Sequence, residues 1–118
     1  MAVKKFARSF SFALKGIAYS FRSQFNMRFH FFAAVVVLVT AFILHVSLLE
    51  LCVLLFCISS VISAELINTS IEINVDLAMP ERNERAGNAK DLAAAAVLVV
   101  SLVSAIIGCI IFLPKIFS

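Results

Sequence analysis

From Leu92 to Leu113 the chain carries nothing more polar than Ser101 and Ser104. Two further runs share this character. Phe29 to Leu44 has no formal charge, and Leu48 to Ile67 is interrupted only by serines, Glu50 and Glu65. A membrane span needs roughly 20 mostly apolar residues, so the runs read as three spans, the first one short. Of 118 residues, 63% are hydrophobic and 14% charged. Soluble domains run near 45–50% apolar and about 25% charged, and a chain this short has no interior large enough to hide the difference. The expected fold is an all-α integral membrane protein of one domain. Its predicted parts are a surface helix over 4–24 and spans over 29–47, 48–77 (with a cytoplasmic extension) and 89–113.

A cleaved signal peptide is not expected, because the N-terminal basic residues are widely spaced and no compact apolar region or small-residue cleavage site follows them. Cys52, Cys57 and Cys109 all lie within apolar runs. They read as small buried hydrophobes and suggest neither a disulfide framework nor a zinc site.

Charge sets the expected orientation. Lys4, Lys5, Arg8, Lys15, Arg22 and Arg28 precede the first span, and Arg82, Arg85 and Lys90 lie between the second and third. The turn around His45 to Glu50 has no Lys or Arg, and only Lys115 follows the third span. The positive-inside rule places the N-terminus and the 77–91 loop in the cytoplasm. A bacterial cytoplasmic membrane is the expected location, and nothing calls for a nucleic-acid partner.

The segment from Lys4 to Gln24 has no Pro and one Gly. Wound at 100° per residue, it puts Lys4, Arg8, Ser11, Lys15, Tyr19 and Arg22 on one side. Phe6, Phe10, Ala13, Leu14, Ile17 and Phe21 fall opposite. That is the period of an amphipathic helix lying in the membrane interface. The basic stripe suits anionic headgroups, a polyphosphate, or both.

The second span ends in a carboxylate stripe. With Glu65 at zero, Asn68 lies at about −60°, Glu72 at about −20°, Asp76 at about +20° and Thr69 at about +40° on the helix. Glu65 to Asp76 covers about 16 Å of rise, and Glu65 lies about 25 Å along the span from Leu48. It is therefore expected just inside the cytoplasmic boundary, where a carboxylate is costly unless it faces a polar cleft. Three carboxylates on one stripe repel, so a cation must compensate or one must stay protonated. A divalent metal among oxygen ligands is the simple solution. Hydrogen-bonded glue between helices is the plain alternative, although such glue favours neutral Ser, Thr and Asn.

Pro80 is expected to stop the second helix, and Ala86-Gly87-Asn88 reads as a turn. Lys90 and Asp91 would then open the third helix. Asp suits the first turn of a helix, but Lys opposes the dipole there. Lys90 therefore wants an anionic partner, either a phosphate or Glu72. No Walker-type phosphate loop, protein-kinase signature, Ser-His-Asp grouping or zinc spacing is present. By the topology above, His30 and His45 lie on opposite sides and cannot pair within one chain. Carboxylates for metal, a base at the lipid boundary and cations for phosphates are the parts of phosphoryl transfer.

The stretch Glu65-Leu66-Ile67-Asn68-Thr69-Ser70-Ile71-Glu72-Ile73-Asn74-Val75-Asp76 resembles the signature of the prokaryotic diacylglycerol kinase family, which includes undecaprenol kinases. Ala86-Gly87-Asn88-Ala89-Lys90-Asp91 resembles that family too, and the resemblance covers nearly the whole chain. It implies a homotrimer with sites formed between subunits, and magnesium-dependent transfer of the γ-phosphate of ATP to a lipid hydroxyl. It implies Glu65 as general base and Glu72 as metal ligand, with Asn68, Asp76, Lys90 and Asp91 building the site. Lys5 and Phe12 would lie near the nucleotide, with Glu81, Arg82 and Asn83 in the adjoining loop. Arg28 would join Glu65 and Asn68 on the lipid side.

One departure stands out. Where the family usually has a second metal-binding Glu, this chain has Gln24, in Gln24-Phe25-Asn26-Met27-Arg28-Phe29-His30. Gln24 offers a neutral carbonyl oxygen, so magnesium would bind more weakly or in another arrangement. Phe12 replaces a Tyr often found there. Asn26, Arg28 and His30 resemble the undecaprenol kinase branch. The competing readings are a small transporter protomer, an assembly subunit, and a family member impaired by Gln24.

Overall fold

The computed structural model describes residues 1–118. It is entirely helical: α1 spans Ala2–Ser23, α2 Phe25–Ile43, α3 Leu48–Ala78 and α4 Glu84–Ile116. The last three are long and apolar enough to cross a membrane. The 19 residues of α2 rise about 28 Å, close to the roughly 30 Å of a hydrocarbon core. The 31 residues of α3 and 33 of α4 exceed that thickness, so both project beyond it.

Packing within the chain is sparse, as in a membrane helical bundle. Only 10 of 118 residues are buried, and Phe32, Phe42, Leu48, Leu92 and Ile110 point outward. In water these side chains would drive aggregation; in lipid they cost nothing. The core is a thin seam of Met27, Ala41, Leu54, Cys57, Val61 and Ala93. The main packing is α3 against α4, with α2 and α1 against α3.

Each corner has a chemical cause. Gln24 is extended (φ −119°, ψ 118°) and alone separates α1 from α2. Its N–H donates to the Ser20 carbonyl at 2.9 Å. Arg28 Nη1 donates to the Phe21 and Arg22 carbonyls, both at 2.9 Å. A guanidinium thus closes the carbonyl end of α1, where a cation is favoured. The edge-to-face pair Phe21–Phe31, with centroids 5.5 Å apart, packs the same corner. This break starts the first span at Phe25, earlier than the expected 29.

The α2–α3 turn is a Schellman motif. Val46 N–H donates to the Ala41 carbonyl at 3.2 Å and His45 N–H to Phe42 at 3.4 Å. His45 adopts φ 54°, a left-handed position that usually falls to Gly. A capping box then starts α3: Glu50 N–H donates to Ser47 Oγ at 3.1 Å, and Ser47 N–H to Glu50 Oε1 at 2.9 Å.

At the other end α3 stops at Ala78, with Met79 as its cap ahead of Pro80. The expected turn at Ala86-Gly87-Asn88 is instead helical, because Asn83 caps α4 earlier. Its Oδ1 accepts from Arg85 N–H at 3.0 Å and Ala86 N–H at 3.1 Å. Gly87 is accommodated inside the helix, at a cost of about 1 kcal/mol relative to Ala. The early start also moves Lys90 out of the first turn.

Candidate active site

Glu65 lies on α3 where α2 crosses it, and it is 1% exposed. Its backbone carbonyl accepts from Thr69 Oγ1 at 3.0 Å. Its carboxylate Oε2 is buried without a hydrogen-bond partner. The nearest cation-forming group is His30 Nε2, at 3.8 Å. That distance is too long for a hydrogen bond and short enough for one small polar group to bridge the two atoms.

One turn further along α3, Asn68 Nδ2 donates to Glu72 Oε1 at 3.3 Å. Asn68 is buried, and its Oδ1 has no partner. Asn68 thereby holds Glu72 on the side shared with Glu65, leaving the rest of the Glu72 carboxylate open. Two turns from Glu65's neighbour Thr69, Asp76 pairs with Lys90 of α4 through Oδ1 and Nζ. Lys90 therefore takes Asp76 as its partner, not Glu72. Both side chains stay substantially exposed, at 64% for Asp76 and 39% for Lys90.

The carboxylate stripe expected from the sequence thus exists, graded from buried Glu65 through half-buried Glu72 to exposed Asp76. Other candidates are distributed around it. Asp91, Glu81 and Arg82 are exposed at the same end, and Asn83 caps α4. Gln24 is half-buried at the α1–α2 break. Arg28 spends Nη1 on the carbonyls of α1. Lys5 and Phe12 are exposed on α1, where Lys15 Nζ lies 5.6 Å from the Phe12 ring centroid.

Two openings flank α3. A cleft of about 550 Å³ lies between α1 and α3, with Gly16, Tyr19, Ser20, Thr69, Ser70 and Asn74 among its walls. An apolar cavity of about 280 Å³ lies between α2, α3 and α4, reached by the His30 ring. The approach of His30 to Glu65 was not expected from the sequence. Depth was the available signal: His30 is near the start of α2, and Glu65 lies past the midpoint of antiparallel α3.

No group of three or more His, Cys, Asp or Glu side chains is gathered to hold a metal. The oxygen donors expected from the sequence are Glu72 on α3 and Gln24 at the α1–α2 break, which offer one carboxylate between them. Magnesium suits such a set, since it keeps several waters and is commonly held by one or two carboxylates plus substrate phosphates.

The family model for prokaryotic diacylglycerol kinase matches residues 11–112. The chain belongs to the prokaryotic diacylglycerol kinase family. The undecaprenol kinase of Bacillus subtilis (strain 168) is 41% identical over 113 residues, covering 96% of this chain and 92% of that protein. A diacylglycerol kinase of Synechocystis sp. is 38% identical over 93% of this chain and 63% of its own length. A diacylglycerol kinase of Haemophilus influenzae is 29% identical, over 88% of this chain and 89% of its own. The protein is a lipid kinase, and this kinase works with a nucleotide phosphate donor. The matched region contains both Glu65 and Lys90.

Proposed function

We propose that this kinase transfers the γ-phosphate of ATP to the hydroxyl of a membrane lipid alcohol, with undecaprenol favoured over diacylglycerol. The observation that carries the reading is the Glu65 carboxylate, buried with one oxygen free of partners and 3.8 Å from His30, which lines an apolar cavity. An acceptor hydroxyl arriving from the bilayer supplies the missing donor. The Bacillus relative's name and the run Asn26, Arg28, His30 support the undecaprenol preference.

In the proposed step, Glu65 takes the proton as the lipid oxygen forms its bond to the γ-phosphorus. The bond from phosphorus to the bridging oxygen breaks, and ADP leaves. Asn68 holds Glu72 toward the phosphates. Glu72, assisted by Gln24, would hold Mg²⁺, which supplies neutralisation of phosphate charge when bound. Lys90 and Asp76 position the nucleotide end, with Asp91 and Glu81 to Asn83 beside them and Lys5 and Phe12 on α1. Positioning and charge neutralisation carry most of the barrier reduction in such transfers.

The N-terminus and the α3–α4 connection face the cytoplasm, where ATP is available, as the basic residues on that side suggest. The site is completed in a homotrimer. The half-buried Glu72 and exposed Asp76 leave the stripe accessible to a neighbouring subunit, and one chain encloses little volume for nucleotide and lipid together. The testing experiment is transfer from γ-labelled ATP to lipid in mixed micelles, comparing the native chain with Glu65→Gln. The expected result is labelled lipid from the native chain alone.

A further inference from the structure

Little holds α1 against the transmembrane helices. Of its 22 residues only Ser20 is buried, and the Ser20 hydroxyl has no hydrogen-bond partner. A cleft of about 550 Å³ lies between α1 and α3. Along the chain, one extended residue, Gln24, joins α1 to α2. Each residue has two soft backbone torsions, so rotation at Gln24 alone would swing the whole of α1.

Arg28 bonds both sides of that joint. Its backbone N–H donates to the Gln24 carbonyl at 3.3 Å, which anchors it in the first turn of α2. Its Nη1 donates to the Phe21 and Arg22 carbonyls in the last turn of α1, both at 2.9 Å. Carbonyls in the last turn of a helix lack intrahelical donors, and that end attracts a cation. Hydrogen bonds from a charged donor are roughly twice as strong as neutral ones. The Phe21–Phe31 ring contact crosses the same corner, but hydrogen bonds to two successive carbonyls also constrain direction.

Direction matters because α1 is a lever. It runs beside the Leu66 to Asn74 stretch of α3, which carries Glu72. At the rise of a helix, Phe12 lies about 18 Å from Gln24 and Lys5 about 28 Å. A tilt of about 10° at the joint would displace Phe12 by about 3 Å and Lys5 by about 5 Å. Misplacement by about 1 Å can cost on the order of a hundredfold in rate.

We infer that Arg28 is a positioning residue for the nucleotide: it sets the angle of α1 about Gln24, and so fixes Lys5 and Phe12 relative to Glu72 and Asp76. The inference rests on the nucleotide placement proposed above. It also reassigns Arg28. The family resemblance implies a place on the lipid side, whereas Nη1 is committed to the carbonyls of α1. Both bonds come from one nitrogen, so an ammonium with its three donors can replace them, and a methyl group cannot.

The test reads the angle directly, without nucleotide, on the full-length protein in aligned lipid bilayers. Labelling with ¹⁵N-lysine gives solid-state NMR amide signals from Lys4, Lys5 and Lys15 on α1, and from Lys90 and Lys115 on α4. In Arg28→Ala the three α1 signals are expected to shift or broaden together while the α4 signals stay. Arg28→Lys is expected to keep all five in place. Gln24→Gly frees the joint but keeps Arg28, so its α1 signals are expected at their native positions. In parallel kinetics, the KM for ATP should rise roughly tenfold or more in Arg28→Ala, with recovery in Arg28→Lys and little change in the KM for the lipid alcohol. Unmoved α1 signals in Arg28→Ala, or displaced ones in Gln24→Gly, would overturn the inference even in an active kinase. A displaced α1 with an unchanged KM for ATP would instead sink the placement of Lys5 and Phe12 beside the nucleotide. Absence of turnover by the native chain on any lipid alcohol would sink the kinase reading and leave the Arg28 clasp standing on the NMR signals.

Discussion

Glu50 Oε1 and Lys115 Nζ are joined at 3.1 Å across the ends of α3 and α4 opposite the Asp76–Lys90 pair. The two longest helices are therefore tied near both ends, and the buried Glu65 lies between the ties. Glu50 serves twice, since the same carboxylate completes the Ser47 capping box. Both ties agree with one antiparallel register of α3 against α4.

The Asp76–Lys90 pair is exposed, and exposed pairs contribute below about 1 kcal/mol to stability. Lys90→Met is accordingly expected to leave the thermal midpoint nearly unchanged in detergent. Its activity is expected to fall by tenfold or more, with a raised KM for ATP. Thermal scans beside nucleotide titrations check this. A large loss of stability with unchanged ATP dependence would make Lys90 a purely structural residue.

Gln24→Glu restores a carboxylate at the α1–α2 break. The magnesium concentration for half-maximal transfer is expected to drop several-fold, because ligand charge strengthens oxygen-donor sites. Titrating magnesium at fixed ATP measures the shift. An unchanged magnesium dependence would remove Gln24 from the metal's surroundings.

His45 holds a left-handed conformation at φ 54°, which disfavours a side chain by roughly 1–2 kcal/mol. His45→Gly relieves that strain but adds unfolded-state entropy, so a net gain up to about 1 kcal/mol is expected. The readout is a higher thermal midpoint with unchanged turnover. A lower midpoint would mean that the imidazole contributes contacts exceeding its backbone strain.

The spans and the carboxylate stripe were legible because hydropathy and helical period are properties of single segments. Residues 65 to 76 needed only the angle per residue to align. The α4 start was misread at Gly87, since a helix begins where a side chain satisfies its first N–H groups, and Asn83 does that upstream. Lys90's partner and the His30–Glu65 approach were not legible. Both depend on the relative depth and rotation of separate helices, which no local pattern records. Arg28 shows the same limit: its charge was visible, but the carbonyls it caps exist only once α1 ends at Ser23.

Under the proposed general-base role, Glu65→Gln is expected to keep the fold and lower turnover on the order of a hundredfold or more. The most direct measurement is labelled-phosphate transfer from ATP with magnesium to undecaprenol and diacylglycerol, side by side, for the native chain and Glu65→Gln. Labelled lipid is expected from the native chain, faster with undecaprenol, and almost none from folded Glu65→Gln. Near-native transfer by Glu65→Gln, or no labelled lipid from the well-folded native chain, would contradict it.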